Sequence, residues 1–167
     1  YVDVGAQVPG QVKRFHVQVG DDVKRGQLLL EIDPDVQQAV VEGARASLAS
    51  LQAQVTEQRI QMRQAGQQLK RRRRQLKQDA ATREDLEKAE AALEMAQARI
   101  ASLQAKMQET RATLRAEETR LSYTRIYAPM DGTVIALEAR EGQTLNATYQ
   151  TPRMMRIADL ATMTVRT

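Results

Sequence analysis

Few residues of this chain could do chemistry, and their types narrow the possibilities at once. The 167 residues hold one histidine, His16, and no cysteine. A thiolate nucleophile, a thiolate metal site and a disulfide framework are therefore excluded. His16 stands beside Phe15 in an alternating stretch and reads as a surface strand residue, and no acids pair up outside solvated helix faces. Nothing in this inventory makes an active site, so neither catalysis nor a cofactor is expected. What remains is one dense cationic run, Lys70-Arg71-Arg72-Arg73-Arg74. Such a run attracts anions, either the phosphates of a nucleic acid or an acidic protein surface.

The run dominates the charge of the chain. The net charge is +4, and residues 35–79 alone carry 9 Lys and Arg against 4 Asp and Glu, or +5. Residues 83–121 carry 7 against 8, or −1. Five consecutive residues go right round a helix, however, and lay no stripe along a groove. No aromatic side chains interleave for base stacking. A coiled-coil scaffold that binds nucleic acid through a basic tip is thus the alternative, and a solvated tip facing acidic loops is the favoured reading.

The elements that must position this run are two long helices. From Val41 an apolar seam runs through Ala44, Leu48, Leu51, Val55, Gln58, Met62, Ala65, Leu69 and Arg72 to Leu76, in alternating steps of three and four. It resumes as Leu86, Ala89, Leu93, Ala96, Ile100, Leu103, Met107, Thr110, Leu114, Glu117 and Leu121. A repeat of 3.5 keeps one narrow seam facing a partner helix. No proline falls between Pro34 and Pro129 to break either helix. The pattern predicts an antiparallel coiled-coil hairpin over residues 35–121, each arm roughly 60 Å long, with its tip near 79–82. Asp33-Pro34-Asp35 supplies the first helix start, and the ascending helix is expected to run to about Asp79. Thr82 fits the N-cap of the second helix, with Asp85 three residues on as an acidic capping box. Gln58 reads as a polar layer that fixes register, while Thr110 and Glu117 loosen the second seam. The heptads allow more than one pairing offset.

The flanks read as strands. Phe15, Val17 and Val19 alternate with Arg14, His16 and Gln18, and Leu28, Leu30 and Ile32 with Leu29, Glu31 and Asp33, with turns at Pro9-Gly10, Gly20-Asp21-Asp22 and Arg25-Gly26. Beyond the helices, Ile135, Leu137 and Ala139 alternate in the same way. An internal repeat links the two flanks. Gly10-Gln11-Val12 matches Gly132-Thr133-Val134, and the ten-residue step from Gly10 to Gly20 recurs from Gly132 to Gly142. Leu30-Glu31-Ile32-Asp33 matches the stretch Met155-Arg156-Ile157-Ala158-Asp159. Neither half, 1–34 or 122–159, can bury a core alone, so the two are expected to pair as one small β-sandwich. The fold class is α+β, a long helical hairpin inserted between two halves of a β-sandwich. Met163-Thr164-Val165-Arg166-Thr167 alternates like a strand in progress. No apolar run reaches the roughly 18 residues of a membrane span.

These features together resemble the periplasmic adaptors, or membrane fusion proteins, of tripartite efflux pumps, with the two flanks forming a split biotinyl-lipoyl domain. Val4-Gly5-Ala6-Gln7-Val8-Pro9-Gly10-Gln11-Val12, Leu121-Ser122-Tyr123-Thr124-Arg125-Ile126-Tyr127-Ala128-Pro129-Met130 and Glu141-Gly142-Gln143-Thr144-Leu145 are similar to the MacA-like adaptors of macrolide exporters. The resemblance implies a homo-oligomer, a hexamer, between an inner-membrane ABC transporter of MacB-like type and a TolC-like outer-membrane channel. It implies a periplasmic place in a Gram-negative bacterium, with attachment to the inner membrane through a segment missing from this fragment. Residues 160–167 would then begin a truncated β-barrel domain.

The resemblance also assigns site residues. The family tip motif is Arg, Leu four residues later and Ser seven beyond that. Arg72 and Leu76 match, and Thr82 stands six residues after Leu76 in place of the serine. Arg72 stands out independently, because a charge in an apolar seam is costly unless solvated or paired; the same residue fits a side chain that snorkels from a frayed seam. A loop glutamine lines the narrow gate of such adaptors, and Gln150 is the candidate, beside the reading of an ordinary polar hairpin loop. A lipoylated carrier would need its lysine on the turn that the hairpin replaces. Lys24 lies within one half instead, and the carrier reading is set aside.

Overall fold

The computed structural model describes residues 1–146 and 152–159. Its ten elements run β1 (Val2–Gly5), β2 (Gly10–Phe15), β3 (Asp22–Val23), β4 (Leu28–Ile32), α1 (Asp35–Leu76), α2 (Arg83–Ser122), β5 (Arg125–Tyr127), β6 (Gly132–Leu137), β7 (Thr144–Leu145) and β8 (Arg153–Ala158). The chain divides into two compact units, residues 1–41 with 116–167 and residues 42–115. Candidate Gln150 and the expected strand at 160–167 lie outside the described residues.

The first unit is a sandwich of two antiparallel four-stranded sheets, ordered β1-β8-β6-β3 and β5-β4-β2-β7. Exchanging β1 with β5, β2 with β6, β3 with β7 and β4 with β8 turns one sheet order into the other. Each half of the sequence therefore contributes strands to both sheets, which is why neither half could bury a core alone. The core repeats the symmetry residue by residue: Val4 with Ile126, Ala6 with Ala128, Val12 with Val134, Val17 with Ala139, Val23 with Leu145, Leu29 with Met154, Leu30 with Met155 and Ile32 with Ile157. Those eight pairs account for the entire buried cluster. The hydrogen bonds repeat as well. Gly20 N–H donates to Val134 O at 2.8 Å, and Gly142 N–H donates to Val12 O at 2.8 Å.

Two glycines mark the tightest point of each half. A Cβ on Gly132 would lie 2.6 Å from the Ala158 carbonyl oxygen and 2.9 Å from Ile157 Cγ2. A Cβ on Gly10 would lie 2.5 Å from Cγ2 of Ile32, the counterpart of Ile157. Glycine is required at both because another strand's end occupies the side-chain space.

The strand alternation expected from sequence is shifted by bulges. Register slips between Val12 and Arg14 and between Val134 and Ala136 fall at equivalent places in the two halves. Val134 is consequently buried while Ile135 is exposed, and β2 ends at Phe15, leaving Val19 outside the core. A further slip between Leu28 and Leu30 brings both Leu29 and Leu30 inward. An extra residue on one strand reverses which face its neighbours point to.

Helix α1 is entered through Asp33-Pro34: Asp33 Oδ1 accepts from Asp35 N–H at 3.1 Å, and the carbonyl of Pro34, the residue just ahead of the helix, accepts from Gln38 N–H at 2.7 Å. At the far end of α2, Thr124 is buried, yet its hydroxyl donates to Leu121 O at 2.7 Å and its carbonyl accepts from Ile32 N–H at 2.7 Å. The seam residue Glu117 accepts from Gln37 Nε2 at 2.7 Å, which satisfies a carboxylate in an otherwise apolar row.

The second unit is the antiparallel helical hairpin. Of the 22 seam residues named above, only Arg72 is exposed, so the 3.5-residue repeat does define the facing surfaces. Arg73 pairs with Glu90 at 2.9 Å, and Gly66 faces Leu93. These contacts supply the register that the heptads left open. Gln58 is buried, and among the described residues no buried side-chain polar atom lacks a partner.

Candidate functional site

The hairpin tip is built by two helix caps placed back to back. Helix α1 stops at Leu76, three residues ahead of the sequence expectation, because Asp79 adopts a left-handed backbone with φ of 53°. Its N–H donates to Leu76 O at 3.2 Å, and Ala80 N–H reaches back to Gln75 O at 2.9 Å. This is the hydrogen-bond pattern of a left-handed helix stop, a position where glycine is the favoured residue. Helix α2 then begins with the expected capping box. Thr82 Oγ1 accepts from Asp85 N–H at 3.1 Å, and Asp85 Oδ2 accepts from Thr82 N–H at 3.1 Å and from its hydroxyl at 2.8 Å. Those bonds, with Arg72 and Lys88 nearby, hold the Asp85 carboxyl below its usual range.

Above this turn the seam opens. Arg72 is exposed, its Nη1 donating to Gln75 Oε1 at 3.2 Å. With Arg71, Gln68 and Gln75 from α1 and Asp85 and Lys88 from α2, it lines a polar groove whose floor is Ala89 and Ala92. Leu76 is half-buried one turn further on. Arg72 and Leu76 therefore sit at the end of the paired seam, Arg72 solvated rather than packed. Thr82 is exposed, but its hydroxyl and amide are both engaged by Asp85. Asp85, Gln75 and Gln68 are groove residues that the sequence reading did not assign; the three-residue step from Arg72 to Gln75 was the available signal.

The cations do not form one surface. Arg71 and Arg72 turn to the groove, whereas Arg73 pairs with Glu90. No continuous basic stripe of the kind a phosphate backbone would follow results. Elsewhere, His16 lies 3.8 Å from Glu31; it is exposed, as expected, but it stands one residue past the end of β2 and not on a strand. Among the described residues no group of three or more His, Cys, Asp or Glu could hold a metal, and no helix is long and apolar enough to cross a membrane.

A split β-sandwich with an inserted helical hairpin that ends in an exposed arginine defines an adaptor module. The family model described as the barrel-sandwich hybrid domain of RND MFP matches residues 1–156, and the chain belongs to this membrane fusion protein family, a family of adaptors and not of enzymes. Along its whole length it is similar to the pyoverdine export membrane fusion protein PvdR of Pseudomonas putida, at 56% identity over 99% of this chain and 42% of that protein. The macrolide export protein MacA of Yersinia pestis is 38% identical over 99% of this chain and 44% of that protein. In three dimensions the crystal structure of MacA from Actinobacillus actinomycetemcomitans matches with a TM-score of 0.91 and 37% identity, over 96% of this chain and 50% of that one. The chain thus spans less than half the length of these curated relatives.

Proposed function

We propose that this chain is the hairpin and lipoyl-like part of a periplasmic adaptor subunit that links an inner-membrane exporter to a TolC-like outer-membrane channel. Arg72, Leu76 and Thr82 form the channel-docking tip. Arg72 and the groove beside it engage the partner, and Thr82 keeps the turn in shape through Asp85. The observation that carries this reading is Arg72: every other seam position is covered to some degree, and this one, at the end of the seam, is open. The sandwich halves assemble side by side in a homo-oligomer, a hexamer, with Gln150 lining its gate. The subunit works in the periplasm of a Gram-negative bacterium and is held to the inner membrane. The inner-membrane partner follows from the resemblance to MacA-like adaptors and is an ABC-type exporter; the RND label of the family model makes the competing partner class. Similarity to a pyoverdine export protein favours a siderophore-like cargo over a macrolide. Nucleic-acid binding is not carried further, because the cationic run is divided: Arg71 and Arg72 line the groove while Arg73 is paired with Glu90.

The test is retention of a TolC-like channel on the immobilised chain, wild type beside Arg72→Asp, with circular dichroism on both. Loss of retention at unchanged helicity is expected. Equal retention by a folded variant would refute the docking role of Arg72.

A further inference from the structure

We infer that the open side of the sandwich, between the edge strands β1 and β5, is a slot for an extended acidic segment of a partner protein. One strand laid there pairs with both edges at once. The two edges line a single cleft of about 500 Å³, with Asp3 and Gly5 on one wall and Arg125 and Tyr127 on the other. Each of these strands has a neighbour on one side only, and among the described residues no backbone hydrogen bond joins β1 to β5.

Strand pairing fixes which backbone groups the cleft receives. In an antiparallel ladder, alternate residues turn their N–H and C=O to the neighbouring strand, and the residues between turn theirs away. Thr124 O accepts from Ile32 N–H at 2.7 Å, Ala128 N–H donates to Gln27 O at 2.9 Å, and Ala128 O accepts from Gly26 N–H at 2.8 Å. Arg125 and Tyr127, one residue out of step, therefore turn their backbone groups to the open edge. Ala6, the counterpart of Ala128, donates its N–H to Pro152 O at 3.1 Å, which puts Asp3 and Gly5 in the same state. Facing sheets stand about 10 Å apart, about twice the 4.8 Å between paired strands, so one strand set between the edges reaches both.

The side chains of the cleft define the occupant. Val2, Tyr123 and Tyr127 stand exposed along it, so alternate residues of the segment are apolar. The edges on the other side, β3 and β7, offer only two residues each and are too short to pair in this way. Charge sets the remaining positions. Arg14 and Arg125 both stand opposite Glu31, and His16 lies 3.8 Å from it, so one carboxylate serves three bases. Arg125 is 65% exposed and 3.8 Å from that carboxylate, which leaves its charge open to a second acid. On the other wall Asp3 is already held by Arg153 at 3.4 Å and Arg156 at 2.9 Å and calls for no further base. The segment is therefore apolar and acidic in alternation. A second copy cannot supply it. Each of the eight described strands is already paired along at least one edge, whereas the slot takes a segment with both edges free.

The test titrates the 167-residue chain with the end-capped peptide Val-Glu-Val-Glu-Val and follows each amide by NMR hydrogen exchange. The amides of Asp3, Gly5, Arg125 and Tyr127 are expected to exchange freely in the chain alone and about fivefold slower or more with the peptide, while Leu30 in the core is unchanged. Proline in place of the central valine removes a ladder donor and is expected to abolish binding. Arg125→Glu should weaken binding of the acidic peptide about fivefold or more and let capped Val-Lys-Val-Lys-Val bind in its place. That exchange of preference distinguishes a lost contact from a lost fold; should the reversal unfold the sandwich by circular dichroism, Arg125→Gln replaces it, with severalfold weaker binding expected. No slowing at about 1 mM peptide, equal binding of the proline peptide, or a charge preference unmoved by the variant would each overturn the inference. So would edge amides already slow in the free chain, since the slot would then be filled by this chain's own residues or, if the protection grows with protein concentration, by a second copy.

Discussion

Replacing Thr82 with alanine should loosen the start of α2 without disturbing the middle of the hairpin. Three hydrogen bonds tie Thr82 to Asp85. Alanine keeps the bond from its own backbone N–H to Asp85 Oδ2 and loses the two made by the hydroxyl. Removing an N-cap side chain costs about 0.5–2 kcal/mol. One arm of the box survives and the site is exposed, so water can serve the freed Asp85 N–H; the cost should be about 1 kcal/mol. That corresponds to roughly a fivefold change in local opening. Hydrogen exchange reads it directly: the Asp85 amide should exchange about fivefold faster, with amides around Ile100 unchanged and Thr82→Ser restoring protection. Unchanged exchange at Asp85, or equal loosening at Ile100, would refute the view of Thr82 as a local cap.

Asp79→Gly should stabilise the tip by about 0.5–1 kcal/mol, because glycine takes a φ of 53° without a Cβ penalty; slower exchange of the Ala80 amide checks it. Gly132→Ala should destabilise the sandwich by about 1–3 kcal/mol through overpacking against the Ala158 carbonyl, whereas Gly43→Ala, with open space around it in α1, should stabilise by about 0.5–1 kcal/mol; urea unfolding of both variants measures the contrast. The Asp85 carboxyl is depressed in the folded chain, so its contribution is present above the unfolded value of about 3.9 and is lost as pH falls below it. The difference in tip protection between wild type and Asp85→Asn should therefore shrink as pH falls below about 4, and a difference that stays constant on acidification would count against the cap.

The hairpin was legible because its signal is periodic and redundant. Twenty-two residues repeat one instruction, and the single exposed position, Arg72, is one of the two, with Glu117, whose charge conflicts with an apolar seam. The pairing offset was not legible, since it depends on contacts such as Arg73 with Glu90 that no single helix encodes. In the sandwich the paired glycines at 10 and 132 announced the repeat, because a close approach by Ile32 or Ile157 excludes any side chain there. Which residues face inward was misread at Ile135 and Leu29, where bulges change the phase of the strand. The early end of α1 follows from the backbone of Asp79, a residue type that gives a weaker signal than glycine would. The docking assignment of Arg72, Leu76 and Thr82 still rests on the resemblance together with the open geometry of the tip.

The central claim is that the tip, and not the flank of the hairpin, meets the channel. The chain contains no cysteine, so a single introduced one gives a unique cross-linking site. Cysteines placed singly at Gln75, Lys77, Ile60 and Met95, the last two exposed along the hairpin, should be tested for cross-links to a TolC-like channel. Cross-links from Gln75 and Lys77 with none from Ile60 or Met95 are predicted. Cross-links from Ile60 or Met95 with none at the tip would contradict the account.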